Sequence, residues 1–517
     1  MSLARCRSVV LQGVAARRVD VEVHLGGMPG FVLVGLPDAS VNEARDRVRA
    51  AVLSSGESWP QQRITANLSP ASLHKHGTHF DLPLALAVLA AAGAVPTEST
   101  VDLLVMGELG LDGRVRAVPG VLPAVVAGAA SGARRFVVPA ANVSEARVVD
   151  GVDVLGASSL RALLCALRGD PLPDDDVVPA APGGRASPGM LTVPDGDLAD
   201  VAGQPVARRL VEVAAAGRHH LLLSGPPGTG KTMLARRLPG LLPGLDLADA
   251  LEVSSVHSVA GLIDPDAPLV RRPPFVDPHH TTSAAALVGG GSGLPRPGAV
   301  SLAHRGVLLL DEAPEFTRPA LEALRQPLER GEVLITRARA TGRFPSRFQL
   351  VMTANPCPCG FVGSVVRPCS CPPDAVRRYQ NRLSGPLLDR IDLHGAVGSV
   401  SPAALAADGS ERETSAHVRD RVAQARARQA ERFAADEWSV NADMPAEALR
   451  GRWRLPPPVL RPLATATARG AISPRGADRV KRVCWTLADL AGDPAPDAEH
   501  LDEAMALHRG AVGLAAS

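Results

Sequence analysis

Short apolar runs alternate with longer amphipathic stretches through the first 170 residues. Strands are expected at Val21–His24, Phe31–Val34, Gln62–Leu68, Leu103–Met106 and Phe136–Val138. Helices are expected at Val41–Ser54, Leu82–Ala92, Val121–Ala130 and Ser159–Leu167, so the pattern predicts an α/β or α+β domain over 1–170. Pro171–Pro194 is rich in Pro, Gly, Ala and Asp and has no apolar period, which predicts a linker over 171–195. A helix at Gln204–Ala215 then leads into the apolar run Leu221–Leu223, and alternating strands and helices continue to Val397, giving a second α/β domain over 196–397. Glu411–Phe433 and Pro456–Arg509 read as helices with arginine-rich outer faces, a third region over 398–517.

The second domain opens on a phosphate-binding pattern. Its first strand breaks into Gly225, Pro226, Pro227, Gly228, Thr229, Gly230, Lys231 and Thr232, with a helix predicted at Met233–Leu238. Glycines at this spacing let backbone N–H groups turn inward around phosphate oxygens, at the positive end of a helix. Lys231 would reach the terminal phosphates and the Thr232 hydroxyl would ligate Mg²⁺, so a bound nucleoside triphosphate, ATP, is expected. The chain has 55 Lys plus Arg, of which only Lys75, Lys231 and Lys481 are lysine. A compact ammonium fits a backbone cradle that the wider guanidinium does not, which gives Lys231 a chemical reason to be an exception.

About 80 residues later the strand Gly306–Leu310 ends in Asp311 and Glu312. Asp311 is placed to hold Mg²⁺ with Thr232, and Glu312 to polarise the attacking water. A third apolar strand, Phe348–Thr353, ends at Ala354 and Asn355, where an amide could orient that water or bond the γ-phosphate; asparagine at a strand end is equally a turn former. In Arg382–Leu393 an arginine could reach across a subunit interface to the developing phosphoryl charge, and Arg390 is preferred over Arg382. Arg475, in Ile472–Arg475, opens a C-terminal helix and could touch the nucleotide.

Length and composition narrow the rest. A chain of 517 residues needs two or three cores. A net charge of +2 argues against nucleic-acid binding through bulk charge but leaves a local arginine-lined groove open. The longest apolar stretch, Leu82–Val95, is too short to span a bilayer, and Arg5 and Arg7 have no apolar core behind them, so no membrane partner and a cytoplasmic location are expected. Cys357, Cys359, Cys369 and Cys371 cluster directly after Asn355 and can form a closed structural Zn²⁺ site or stand as reduced thiols, while Cys6, Cys165 and Cys484 read as core residues. Glu332–Ala338 and Arg343–Leu350 alternate across an Ala340–Gly342 turn, predicting a β-hairpin with Arg337, Arg339 and Arg343 near its tip. Those arginines are DNA-contact candidates or a solvated face. The insert Pro278–Pro297 is a loop candidate in which His279 and His280 read as hydrogen-bonding caps.

With these motifs, together with Pro278–His280, Leu287–Gly291, Leu310–Glu312, Asn355–Gly360 and Leu383–Asp392, the chain resembles the magnesium-chelatase-like AAA+ ATPases of the ComM/YifB type over nearly its whole length. The resemblance implies a P-loop AAA+ α/β domain with a parallel sheet, a C-terminal helical lid and a homo-hexameric ring. It also implies Walker A at Lys231, Walker B at Asp311 and Glu312, sensor 1 at Asn355, an arginine finger at Arg390 and sensor 2 at Arg475. The ComM type is associated with branch-migration helicase activity on single-stranded or branched DNA in natural transformation; the rival expectation is a chelatase-like ATPase that remodels a protein partner. The first domain resembles the Lon protease domain, a ribosomal S5 domain 2-like α/β fold, most clearly at Gly107–Arg116. Asp81 stands where the Lon serine would be and Ala124 where the lysine would be, and Ser69, Ser72 and Lys75 lie outside those positions, so proteolysis is not expected.

Overall fold

Two eleven-residue strands open the chain, β1 (Ser2–Gln12) and β2 (Ala15–Leu25), antiparallel along their whole length. Only Val21–His24 was legible beforehand. Buried Ala4, Cys6, Val19, Val21 and Val23 alternate with Arg5, Arg7, Arg18, Asp20 and Glu22, and the charged face dilutes the apolar signal. The computed structural model describes residues 2–173, 194–291, 295–337, 340–364, 367–400 and 412–510. Most of the expected linker and Arg339 therefore lie outside the described residues.

The strands β3 (Gly30–Val34), β4 (Arg63–Ser69), β5 (Leu103–Val105), β8 (Arg135–Pro139) and β9 (Asp153–Ala157) complete a seven-stranded sheet in the order β3-β4-β2-β1-β5-β8-β9, while β6 (Glu108–Leu109) and β7 (Val115–Arg116) form a separate small hairpin. The strand β9 was missed, since it carries Asp153 and Gly156 and is only partly buried. The helix Asp81–Ala91 is buried on every side, as its apolar sequence after Asp81 requires. The helix expected over Val41–Ser54 is two pieces, Ala39–Asn42 and Ala44–Ser54, the first capped by the Asp38 carboxylate on the Val41 N–H.

The second sheet contains β10 (Leu221–Ser224), β11 (Phe275–Val276), β14 (Val307–Leu310), β17 (Gln349–Ala354) and β18 (Leu393–Ala396), all parallel, in the order β11-β14-β17-β10-β18. The central strands β10, β14 and β17 are buried, mainly apolar runs because both faces are covered, while the edge strand β18 carries His394 and Gly395 and is only partly buried. Two small ladders accompany it: β12 (Gly289–Gly290) with β13 (Arg296–Pro297), and β15 (Glu332–Thr336) with β16 (Thr341–Pro345). The β15–β16 hairpin corrects the expected register. Thr341 and Gly342 are ladder residues opposite Thr336 and Ile335, so the turn lies before them, and β16 ends at Pro345 instead of running on into β17.

The C-terminal helices Ser415–Arg432, Pro457–Ala468, Pro474–Ala491 and Ala498–Arg509 share one hydrophobic core with the helix Pro205–Gly217 and with β10. The first sheet's domain docks on the second at two places. The Ser258 hydroxyl donates to the buried Glu145 carboxylate at 2.6 Å and the Gly120 N–H to the Ser258 carbonyl at 3.0 Å. At the hairpin, the Val14 N–H donates to the Arg343 carbonyl at 3.3 Å. Gly13 is required there: a Cβ on it would stand 2.0 Å from that carbonyl oxygen.

Candidate active site

Parallel strands deliver their loops to one end of the sheet, and β17 lies between β10 and β14. The loops after β10, β14 and β17 carry Lys231, Asp311 and Asn355, so the strand order alone brings three separated stretches of sequence together. Gly228 and Gly230 hold φ of +76° and +90°, a left-handed loop that ends at the start of the helix Lys231–Arg237. The Lys231 ammonium is largely buried and donates to the Gly225 carbonyl at 2.7 Å, the Pro226 carbonyl at 2.8 Å and Asn355 Oδ1 at 3.1 Å. Burial pulls its pKa below the usual lysine value, and Asp311 and Glu312 oppose that shift.

The Thr232 hydroxyl donates to Asp311 Oδ1 at 2.8 Å. Sequence reasoning missed Thr353, whose hydroxyl donates to the same Asp311 oxygen at 2.6 Å and accepts the Glu312 N–H at 2.9 Å. It thereby fixes both acids from the neighbouring strand. Its signal was a hydroxyl following the apolar run Leu350–Met352 in a buried strand. Glu312 has a φ of +52°, uncommon for a residue with a side chain, and stands exposed at the strand tip. Hydroxyl and carboxylate oxygens in contact are hard donors of the kind Mg²⁺ takes, so Thr232 and Asp311 fit that ion.

Arg390 and Arg475 do not join this group. Both line a second cleft of about 560 Å³, with Arg218, Arg479 and Arg482, and no phosphate-loop residue lines it. Arg390 is largely buried, donates to the Pro386 carbonyl at 2.6 Å and pairs with Glu329 at 3.0 Å. Ser473 caps the helix that carries Arg475. Arg382 instead faces its own Walker-type strand end, bonded to the Pro314 carbonyl at 2.9 Å and Glu315 at 3.2 Å.

The four clustered cysteines converge. Their sulfurs all lie within 4.8 Å of one another, with Cys357–Cys359, Cys359–Cys369 and Cys357–Cys369 separations of 3.4, 3.5 and 3.7 Å. A tetrahedral Zn–thiolate centre with bonds of about 2.3 Å has edges of about 3.8 Å. Backbone N–H groups of Val362 and Cys359 point at Cys357 and Cys371 sulfurs, at 3.4 Å each. This is the one such metal-competent cluster among the described residues, and the His279 and His280 rings lie 4.0 Å apart, tilted by 36°, outside it. Cys6 and Cys484 are buried and Cys165 half-buried. On the hairpin, Arg337 donates to the Gly291 carbonyl at 3.2 Å, and the exposed Arg343 is 3.6 Å from Glu332. Hairpin and glycine-rich insert are therefore neighbours.

In the N-terminal domain Asp81 is completely buried and its carboxylate takes both arms of Arg47, at 2.7 and 2.9 Å, with the Leu109 N–H at 3.3 Å. Burial nevertheless pushes the Asp81 carboxyl up to about 6. Ala124 is buried in the helix Val121–Ala130. Lys75 is buried as well, its ammonium donating to the Pro70 carbonyl.

This assembly of a P-loop strand order, paired acids and an asparagine between them defines an ATPase of the AAA+ class. Family models described as magnesium chelatase, subunit ChlI, match residues 197–405, as subunit ChlI of Mg-chelatase residues 19–142, and as the ChlI C-terminal part residues 412–508. The chain is 50% identical over 517 residues to an uncharacterised protein of Mycobacterium tuberculosis, covering 98% of this chain and 99% of that one. It is 42% identical over 511 residues to the competence protein ComM of Haemophilus influenzae and 40% over 512 residues to YifB of Escherichia coli, each time covering 98% of this chain and 97% of the relative. The chain belongs to the magnesium-chelatase-like family of ComM and YifB. A local match, 34% identical over 116 residues, joins 22% of this chain to 16% of an archaeal Lon protease of Halobacterium salinarum, which agrees with the Lon-like reading of the first domain. Among the described residues no helix is long and apolar enough to cross a membrane.

Proposed function

We propose that this chain is an ATP-hydrolysing ring motor that acts on DNA in the cytoplasm, a branch-migration helicase of recombination and natural transformation working as a homo-hexamer. One observation carries the reading: Lys231, Thr232, Asp311 and Asn355 meet within one chain, whereas Arg390 and Arg475 share a cleft that no phosphate-loop residue lines. Arginines so placed are available to a triphosphate held by a neighbouring copy, the arrangement in which an arginine finger works, and this supports a ring as the unit of catalysis.

In this reading the backbone from Gly225 to Gly230 cradles the phosphates and Lys231 leaves the loop carbonyls for the β- and γ-oxygens. Mg²⁺ held by Thr232 and Asp311 would neutralise charge between those oxygens. Glu312 takes a proton from the attacking water, Asn355 orients it, and the neighbour's Arg390 and Arg475 meet the charge that develops on the transferred phosphoryl group. The cysteine cluster holds a structural Zn²⁺ that staples the Pro-rich loop behind Asn355. Arg337 and Arg343, with the glycine-rich insert beside them, track a DNA backbone. The competence name of one relative supports a DNA substrate. The paired, buried Asp81 supports a non-proteolytic N-terminal domain.

A second reading, an ATPase that remodels a protein partner, is favoured by the chelatase description of the matching family. The ATP hydrolysis rate with and without single-stranded and four-way-junction DNA, with Glu312→Gln as blank, separates the two. Strong stimulation, largest for the junction and lost as salt rises, is expected; a rate indifferent to every DNA favours the protein partner.

A further inference from the structure

Arg390 lies in a four-residue segment, Asp389–Asp392, whose two ends are gripped by one side chain. Arg479 Nε donates to the Asp389 carbonyl at 2.6 Å, and Arg479 Nη1 donates to Asp392 Oδ1 at 2.6 Å. The other Asp392 oxygen accepts the His220 N–H at 2.9 Å, which anchors the segment to the root of β10. Asp392 is 3% exposed and Arg479 16%, so the ion-pair arm of the fork is shielded from solvent and salt while the arm to the Asp389 carbonyl is exposed. Arg479 also stands four residues after Arg475 on the helix Pro474–Ala491, and both line the cleft that holds Arg390.

We infer that Arg479 is a positioning residue that locks Arg390 and Arg475 into one rigid unit, so that the finger and the lid arginine reach a neighbour's phosphates together. The inference rests on the proposed trans role of those two arginines. A planar fork can hold a carbonyl and a carboxylate at fixed spacing, which a lysine cannot. Arg390 itself is held by the Pro386 carbonyl at 2.6 Å and by the exposed Glu329 carboxylate at 3.0 Å, so without the fork the backbone that carries the finger loses its tie to the Arg475 helix while those two contacts remain.

The test is steady-state ATP hydrolysis and binding of a fluorescent ATP analogue by Arg479→Lys, Arg390→Ala and the double variant in the full chain. Arg479→Lys keeps the charge beside Asp392, and it is expected to melt as wild type and bind the analogue within about twofold of it, while kcat falls about tenfold as finger alignment is lost. The double variant is expected to be no slower than Arg390→Ala, because a misplaced finger and a missing one fail at the same step. Arg479→Lys with full kcat beside an inactive Arg390→Ala would overturn this inference alone. Losses that multiply in the double variant would also overturn it, since Arg479 would then act separately. Full turnover by Arg390→Ala would remove the finger reading itself and this inference with it.

Discussion

Asp311 and Asp81 are the same residue in two α/β domains of one chain, held in opposite ways. Asp311 sits at the open end of a parallel sheet, and among the described residues its side-chain partners are the hydroxyls of Thr232 and Thr353, with no arginine fork upon it. Asp81 is the first residue of the helix Asp81–Ala91, fully buried, and both its oxygens are taken by Arg47. Neutral donors orient a carboxylate without cancelling it, whereas a bidentate guanidinium consumes it. The family likeness to Lon at the second site and the P-loop likeness at the first thus lead to different chemistry, and the partners of the acid decide which.

Three substitutions on the open side, and a fourth at Arg390 in the second cleft, should have large effects if the contrast holds. Lys231→Ala is expected to abolish nucleotide binding, removing the charge that sits among the phosphate-loop carbonyls; equilibrium binding of a fluorescent ATP analogue reads this directly. Glu312→Gln should bind the analogue as wild type yet hydrolyse ATP at least about a hundredfold more slowly, as loss of a general base does. Retained turnover there would move the base elsewhere. Thr353→Val should lower kcat by about tenfold with a smaller effect on binding, because it frees both acids from the neighbouring strand without touching the phosphate loop. Arg390→Ala should depress the rate of mixed rings below the wild-type fraction, and a strictly proportional mixing curve would show that each chain hydrolyses alone.

The open site was far more legible in the sequence than the closed one. The glycines, Lys231 and Thr232 have a fixed spacing because a phosphate imposes it, and Asp311 and Asn355 stand out because each follows an apolar run that reads as a buried strand. Even there, Thr353 and Arg479 stayed hidden, since their work depends on which strands and helices become neighbours. The grouping of Arg475 with Arg390 was equally invisible, being a property of how the C-terminal helices share the core with Pro205–Gly217. In the N-terminal domain the charged faces of β1 and β2 masked the first strand and all but Val21–His24 of the second. The hairpin turn was misplaced because Thr341 and Gly342 read as turn residues, although Gly342 is in fact a ladder residue with Gly13 packed close to it.

The smallest expected effect tests whether burial or pairing governs Asp81. Its carboxyl titrates near 6 in the folded protein against an ordinary value of 3.8. Between those values the unfolded chain has lost the proton that the folded chain retains, so the folded state binds more protons and stability falls as pH rises from about 4 to about 6. Above the window the contribution is constant, and a two-unit shift sets a ceiling of about 3 kcal/mol. Asp81→Asn cannot titrate, so wild type should lose stability relative to this variant across that window in denaturant melts of the full chain. ATP hydrolysis should be unchanged in the variant at pH 7, since Asp81 lies in the other domain from the phosphate loop. A difference that rises with pH instead would mean that the Arg47 fork outweighs burial, and Asp81 would then be a stabilising ion pair in the ordinary sense.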